Sequence, residues 1–179
     1  MMAEASGDPT IRTAGWDLTS AALHATMDKT VDMKQPPGHV DPLNPLLSCR
    51  LLKAIYGTPQ ASRLFYLTIK AALTGLGFHP SVADECLFIK REGTSFMKLL
   101  VHVDDFAITY NDRALYDKVF AAMQQQFKMT DFGGGELERF LGIEIEHASD
   151  SAIRLHQGPY LDELFSRLQV DGNARSPEA

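Results

Sequence analysis

The apolar residues of this chain recur at two spacings, one typical of strands and one typical of helices. The residues at 99–103, Leu-Leu-Val-His-Val, are almost all apolar, and Asp104 and Asp105 follow them directly. Such a run predicts a strand that is buried on both faces, including Leu100. Apolar sequence resumes at 106–109. This pattern predicts a hairpin with the two aspartates at its tip.

The other elements predicted by spacing are strands and three amphipathic helices. Strands are predicted at 86–90, 96–103 and 106–109, and a further hairpin at 139–146 and 153–156. A helix begins at Pro59 and places Phe65 and Ile69 on its apolar face, a second spans 112–127, and a third begins at Pro159 with its apolar residues facing inward. The pattern predicts an α+β fold, an antiparallel sheet with two helices on one face.

Adjacent carboxylates at the end of a buried strand are costly, because like charges repel and burial removes their hydration. Either a divalent cation between Asp104 and Asp105 or a turn that exposes them to water would offset this cost. A hairpin tip holds the pair rigidly. Oxygen ligands on a rigid support are what two-metal phosphoryl transfer requires, so a metal site is one interpretation of the pair.

Composition restricts the class of protein. A chain of 179 residues can form one domain with a sizeable core, and its net charge of −6 is unusual for a free-standing nucleic-acid-binding protein. It contains neither a signal peptide nor a membrane-spanning run, so no membrane partner is expected. Cys49 and Cys86 lack metal-site spacing and are predicted to be buried free thiols. These features predict an intracellular protein, cytoplasmic or nuclear.

Several blocks of residues, in a fixed order, resemble one family. The chain resembles the copia-type retrotransposon reverse transcriptase from about Gly15 to about Leu168. The blocks are Met33-Lys34-Gln35-Pro36-Pro37-Gly38, Cys49-Arg50-Leu51-Leu52-Lys53-Ala54-Ile55-Tyr56-Gly57, Gln60-Ala61-Ser62-Arg63, Ala83-Asp84-Glu85-Cys86-Leu87-Phe88-Ile89, His102-Val103-Asp104-Asp105, Asp131-Phe132-Gly133 and Phe140-Leu141-Gly142-Ile143-Glu144-Ile145.

The resemblance implies a polymerase palm and a division of the chain into four parts. Residues 1–13 are expected to be a disordered N-terminal stretch and residues 14–132 the palm. Residues 133–157 are expected to form a hairpin like the primer grip, and residues 158–179 the start of a thumb helix and a tail. Because the basic fingers segment is not found before Gly15, the sequence is expected to be a truncated form of the enzyme.

In the family, three aspartates bind two Mg²⁺ ions, for which Mn²⁺ can substitute. Asp104 and Asp105 match two of these positions. An ungapped alignment places Asp17 at the third. An alternative alignment places the catalytic aspartate in a segment missing between Ala21 and Ala22, and both alignments remain open.

The resemblance also implies contacts with nucleotide and template. Ala22 stands where the family has an aromatic residue that excludes a ribose 2′-hydroxyl, so weak sugar discrimination is expected. His102 and Val103 belong to the catalytic box, with His102 in place of a tyrosine. Gln60 and Arg63 match a segment that lies under the templating base, although the residues taken alone favour a solvated helix start.

Residues Leu141, Gly142 and Ile143 match the hairpin that grips the primer backbone. An ordinary amphipathic hairpin is an equally good interpretation of these residues. The partners implied are an RNA or DNA template-primer, deoxynucleoside triphosphates, and the integrase and RNase H regions of a parent polyprotein.

The sequence is therefore compatible with two functions. The first is a fragment of an RNA-directed DNA polymerase that is inactive as an isolated chain. The second is a non-catalytic remnant or domesticated fragment that binds nucleic acid or a protein.

Overall fold

Strands make up much of this computed structural model, which describes residues 11–132, 136–148 and 152–169. In chain order, the strands are β1 (Arg12–Leu18), β2 (Asp32–Lys34), β3 (Ser48–Arg50), β4 (His79–Pro80), β5 (Leu87–Glu92), β6 (Ser95–His102), β7 (Asp105–Tyr110), β8 (Met129–Asp131), β9 (Arg139–Phe140), β10 (Ile143–His147) and β11 (Ile153–His156). The helices are α1 (Ala61–Gly75), α2 (Arg113–Gln124) and α3 (Gly158–Leu168), and a short 3₁₀ helix (Ala21–His24) follows β1. The chain is thus an α+β protein with antiparallel sheets, as the spacing predicts.

The central sheet has six strands in the order β4-β5-β6-β7-β1-β8, and each neighbouring pair is antiparallel. One face of this sheet carries Trp16, Leu99 and Ile108, which share a buried core with Phe65 of α1 and Val119 of α2. Both helices therefore pack on the same face. The opposite face carries Asp17 and Asp105, since successive residues of a strand point to opposite sides.

Strand β6 differs from the prediction of burial on both faces. Its residues alternate, with Met97, Leu99 and Val101 buried and the residues between them partly exposed. Leu99 points to the helices, whereas Leu100 points to the opposite face and is only partly buried. The prediction that Leu100 is a core residue is wrong, because an apolar run alone does not show that both faces are covered.

Helix α3 begins where it is predicted but does not face a core. None of its described residues is buried, and Tyr160 and Phe165 are 54% and 47% exposed. The apolar stripe is present, yet no described element packs against it closely enough to bury it. The prediction of inward-facing residues is therefore wrong. No described helix is long and apolar enough to cross a membrane.

Two further predictions need correction. Strand β1 starts at Arg12, and both Arg12 and Thr13 pair with β7. These two residues therefore do not belong to a disordered N-terminal stretch. Residues 1–10 of that predicted stretch and residues 170–179 of the predicted tail lie outside the described residues. Cys49 is exposed on the small β2–β3 hairpin and Cys86 is half-buried, which corrects the prediction of two buried thiols. Both are free thiols, as predicted.

Strands β9, β10 and β11 form a separate three-stranded sheet that is tied to β1. The backbone N–H of Leu137, just before β9, donates a hydrogen bond of 3.0 Å to Thr13 Oγ1. The Nε2 atom of His147 lies 3.3 Å from the same hydroxyl oxygen. These contacts hold the hairpin against the face of the central sheet that carries Asp17 and Asp105.

Candidate functional site

The turn between β6 and β7 holds Asp104 at its tip. His102 lies opposite Asp105 in the register, so the loop has only two residues, Val103 and Asp104. Val103 has a φ of 52°, which is unfavourable for a β-branched residue. Backbone strain of this kind clusters at functional sites, because the surrounding structure must hold it in place.

Strand β1 brings a third carboxylate to this turn. Asp17 lies directly opposite Asp105 in the antiparallel register, and the N–H of Leu18 donates a hydrogen bond of 2.9 Å to the backbone carbonyl of Asp104. Residues directly opposite each other in an antiparallel pair have Cβ atoms about 4.5–5.5 Å apart and share one face. Asp17, Asp105 and His102 thus form a row across three neighbouring strands.

The pKa of Asp105 is raised above its usual value by this arrangement. Burial contributes most, followed by the charges of Asp104 and Asp17, while the nearby His102 acts in the opposite direction. Each cause but the last disfavours the ionised carboxyl. Asp105 therefore interacts electrostatically with both other aspartates of the site.

Replacing Asp105 with Asn is expected to stabilise the protein at neutral pH in the presence of a chelator. The native pKa is raised, so the folded state binds the proton more tightly. Wild-type stability should therefore fall as pH rises from the unfolded-state pKa, about 3.9, through the native value. The Asn variant should lack this part of the pH dependence.

Urea unfolding of wild type and Asp105→Asn across this pH range, with the exposed Asp162→Asn as control, measures the effect. Strong destabilisation of the Asp105 variant would contradict the prediction. It would show instead that the carboxylate accepts a structural hydrogen bond.

The carboxylates do not converge on a single point. Among the described residues, no group of three or more His, Cys, Asp or Glu side chains is close enough together to hold a metal ion. Their oxygen donors nevertheless suit Mg²⁺ or Mn²⁺, which prefer carboxylate ligands. To hold a cation, these carboxylates would have to come closer together than they lie in the structure.

Tyr56 is a member of the site that the sequence does not identify. Its hydroxyl lies 3.4 Å from Asp104 Oδ2, although the two residues are 48 positions apart. Burial of the hydroxyl raises the pKa of Tyr56, and the charge of Asp104 raises it further. Only the folded chain brings this ring to the turn.

The residues predicted to contact nucleotide and template lie in different surroundings. Ala22 is buried in the 3₁₀ helix that follows β1, whereas His102 and Val103 are exposed at the turn. Gln60 and Arg63 lie at the start of α1, and Arg63 forms an exposed ion pair of 3.0 Å with Asp28. Within the described residues, neither Gln60 nor Arg63 forms a hydrogen bond or ion pair with Asp17, Asp104 or Asp105, so their template contact stays a prediction.

The hairpin residues predicted to grip the primer lie beside Asp105. Leu141 and Gly142 form the two-residue turn between β9 and β10, both with positive φ, and Ile143 opens β10. Asp105, Leu141 and Gly142 all line one cavity of about 290 Å³. Its walls are mainly apolar and include Phe106, Phe132, Leu137 and Phe140. The fold therefore places the Leu141–Gly142 turn next to one of the aspartates.

Comparison with known proteins identifies relatives along almost the whole chain. The profile of the reverse transcriptase (RNA-dependent DNA polymerase) family matches residues 9–176. The chain is 38% identical over 154 residues, 86% of its length, to the retrovirus-related Pol polyproteins from transposons RE1 and RE2 of Arabidopsis thaliana. It is 28% identical over 155 residues, 87% of its length, to a putative transposon Ty5-1 protein of Saccharomyces cerevisiae.

The chain spans only part of these relatives. It covers 10% of the length of the two plant polyproteins and 50% of the yeast protein. The match nevertheless includes the β6–β7 turn, β1 and the hairpin, which are the parts that build the site described above. The chain belongs to the copia-type reverse transcriptase (RNA-dependent DNA polymerase) family and corresponds to a fragment of a retrotransposon Pol polyprotein.

Proposed function

We propose that this chain forms the catalytic palm of an RNA-directed DNA polymerase and that Asp17, Asp104 and Asp105 hold two Mg²⁺ ions, for which Mn²⁺ can substitute. The register that pairs Asp17 with Asp105 carries the proposal, because it brings a carboxylate from a distant part of the sequence to the Asp-Asp turn. This register supports the ungapped alignment. Reverse transcriptases generally use divalent metal ions.

The three aspartates are held in place in different ways. Asp17 and Asp105 stand on paired strands, so the sheet fixes their spacing. Asp104 lies on the turn, which the hydrogen bond from Leu18 holds at the end of β1. When bound, two such cations lower the pKa of a primer 3′-hydroxyl and stabilise the charge that develops on the triphosphate. The protein's contribution is to present three carboxylates on a rigid support.

The hairpin and the start of α1 complete the proposed substrate path. Leu141, Gly142 and Ile143 would contact the primer backbone, which is supported by the cavity that Leu141 and Gly142 line together with Asp105. His102 and Val103 would lie close to the primer end, because they belong to the same turn as Asp104. Gln60 and Arg63 would contact the template, and Ala22 would lie beneath the incoming nucleotide.

The partners proposed are a template-primer of RNA or DNA, deoxynucleoside triphosphates and other regions of the polyprotein. The plant relatives are named as Pol polyproteins, and the chain covers 10% of their length. Integrase and RNase H regions of such a polyprotein are therefore proposed as covalent neighbours in the parent element. The net charge of −6 favours the alternative that the isolated chain is a non-catalytic fragment.

A Mn²⁺ titration tests the proposed metal site. We expect the wild-type protein to bind Mn²⁺. The variants Asp17→Asn and Asp104→Asn should each bind it at least about tenfold more weakly, because each removes a charged ligand. Asp162→Asn, which changes an exposed carboxylate on α3, is the matched control and should bind like wild type. Equal Mn²⁺ affinity in all four proteins would contradict the proposal.

A further inference from the structure

The hydroxyl of Thr13 joins β1 to the sheet formed by β9, β10 and β11. It accepts a hydrogen bond of 3.0 Å from the backbone N–H of Leu137, although the two residues are 124 positions apart. The Nε2 atom of His147 lies 3.3 Å from Thr13 Oγ1 and 3.3 Å from the carbonyl oxygen of Leu137. These three residues, called the clasp, connect one strand of the central sheet with the start of β9 and the end of β10.

Glu136 favours the tautomer of His147 that bonds to Thr13. The Nδ1 atom of His147 lies 3.6 Å from Glu136 Oε2, so a proton on Nδ1 faces a carboxylate. The neutral ring then has no proton on Nε2, which becomes an acceptor for the Thr13 hydroxyl. In this form the Thr13 hydroxyl accepts from Leu137 and donates to His147.

The backbone of β1 comes very close to the hairpin beside the clasp. Gly15 points to the same face as Thr13 and Asp17, since alternate residues of a strand share a face. A Cβ atom at position 15 would lie 2.9 Å from Leu137 Cδ1 and 3.1 Å from Phe132 Cδ2, closer than carbon atoms normally pack. Glycine at this position therefore lets Leu137 lie against β1.

The hairpin leads from the clasp to the turn beside Asp105. Leu137 precedes Leu141 by four residues, and both line the cavity that Asp105 also lines. Thr13 and Asp17 are likewise four residues apart on β1, a distance of about 13 Å along an extended strand. The hairpin is thus attached at one end of this interval, and its turn lies toward the other.

We propose that Thr13 is a positioning residue, whose hydroxyl sets where the Leu141–Gly142 turn lies beside Asp105. In the described part of the chain, β9, β10 and β11 share no strand pairing with the central sheet, so side-chain contacts decide how the two sheets are placed. The inference rests on the proposed function for the role of the turn in contacting a primer. It gives a role to a residue that the sequence assigns to a disordered stretch.

Thr109 provides a matched comparison. It lies directly opposite Thr13 on β7, and the two residues are 5% and 8% exposed. Within the described residues, Thr109 Oγ1 has no hydrogen-bond partner. Replacing Thr13 with Val leaves the buried N–H of Leu137 without an acceptor, which is costly. The same change at Thr109 removes a buried polar atom that has no such partner, so it should not release the hairpin.

Residual dipolar couplings of backbone amides test the inference on the 179-residue protein, because they report the orientation of one sheet relative to the other. In wild type, Thr13→Ser and Thr109→Val, a single alignment frame should fit both sheets. In Thr13→Val, the couplings of β10 should depart from the frame that still fits β6 and β7. The Leu137 amide should also exchange with solvent at least about tenfold faster in this variant.

A Thr13→Val protein in which one frame still fits both sheets would overturn the inference. The same departure in Thr13→Ser or Thr109→Val would also overturn it, because the hydroxyl of Thr13 would then not be the cause. Loss of the fit within β6 and β7 themselves would contradict it too, since Thr13 would then support the whole fold. These measurements use no metal ion, so a failure of Mn²⁺ binding would overturn the proposed function and not the attachment of the hairpin.

Discussion

Replacing Leu99 with alanine is expected to lower the free energy of unfolding by about 2–5 kcal/mol, because it removes buried methyl groups and leaves a cavity between sheet and helices. Leu99 is completely buried in the shared core. Leu100→Ala is the matched control, since it is the same change one residue along β6 on the partly exposed face. Its cost should be clearly smaller.

Urea unfolding of the two variants measures the difference. The same experiment on Phe65→Ala in α1 should give about 3–5 kcal/mol, since this side chain is 2% exposed. Equal losses for Leu99→Ala and Leu100→Ala would contradict the one-sided burial of β6.

As a purified 179-residue protein, the chain is expected to extend a primer no faster than its Asp104→Ala variant. Phosphoryl transfer depends on precise positioning of the two reacting strands. Here α3 has no buried residue, so it is not held as one side of a clamp. The net charge of −6 also repels the phosphates of a template-primer and should weaken binding at physiological salt.

The assay is primer extension on an RNA template with Mg²⁺ or Mn²⁺, with Asp104→Ala as the blank. Extension clearly above the blank would contradict the prediction. Such activity would show that the aspartates and the hairpin suffice to position both strands without further regions of the polyprotein.

Much of the fold follows from local pattern. The β6–β7 hairpin, the apolar face of α1 with Phe65 and Ile69, and the start of α3 all lie close to their predicted positions, because periodicity and turn residues act over short distances. The two faces of β6 could not be assigned this way. Leu99 and Leu100 are chemically identical, and which of them is buried depends on where α1 and α2 pack.

The candidate site, too, is only partly predictable from the sequence. Asp104 and Asp105 are adjacent in the sequence and mark the turn directly. Asp17 lies opposite Asp105 through the pairing of β1 with β7, whereas the two alignments of the sequence differ in the position of the third aspartate. The sequence places Tyr56 in the block at residues 49–57 but does not indicate that it contacts Asp104. Its contact with Asp104 arises from the path of the chain between the 3₁₀ helix and α1.

Asp17, Asp104 and Asp105 are proposed to form one metal site. Crystals of the 179-residue protein soaked in Mn²⁺ test it most directly, because anomalous scattering locates the ion without reference to activity. We expect Mn²⁺ bound by oxygens of all three aspartates. Mn²⁺ that binds without Asp17, or is absent from the β6–β7 turn, would contradict it.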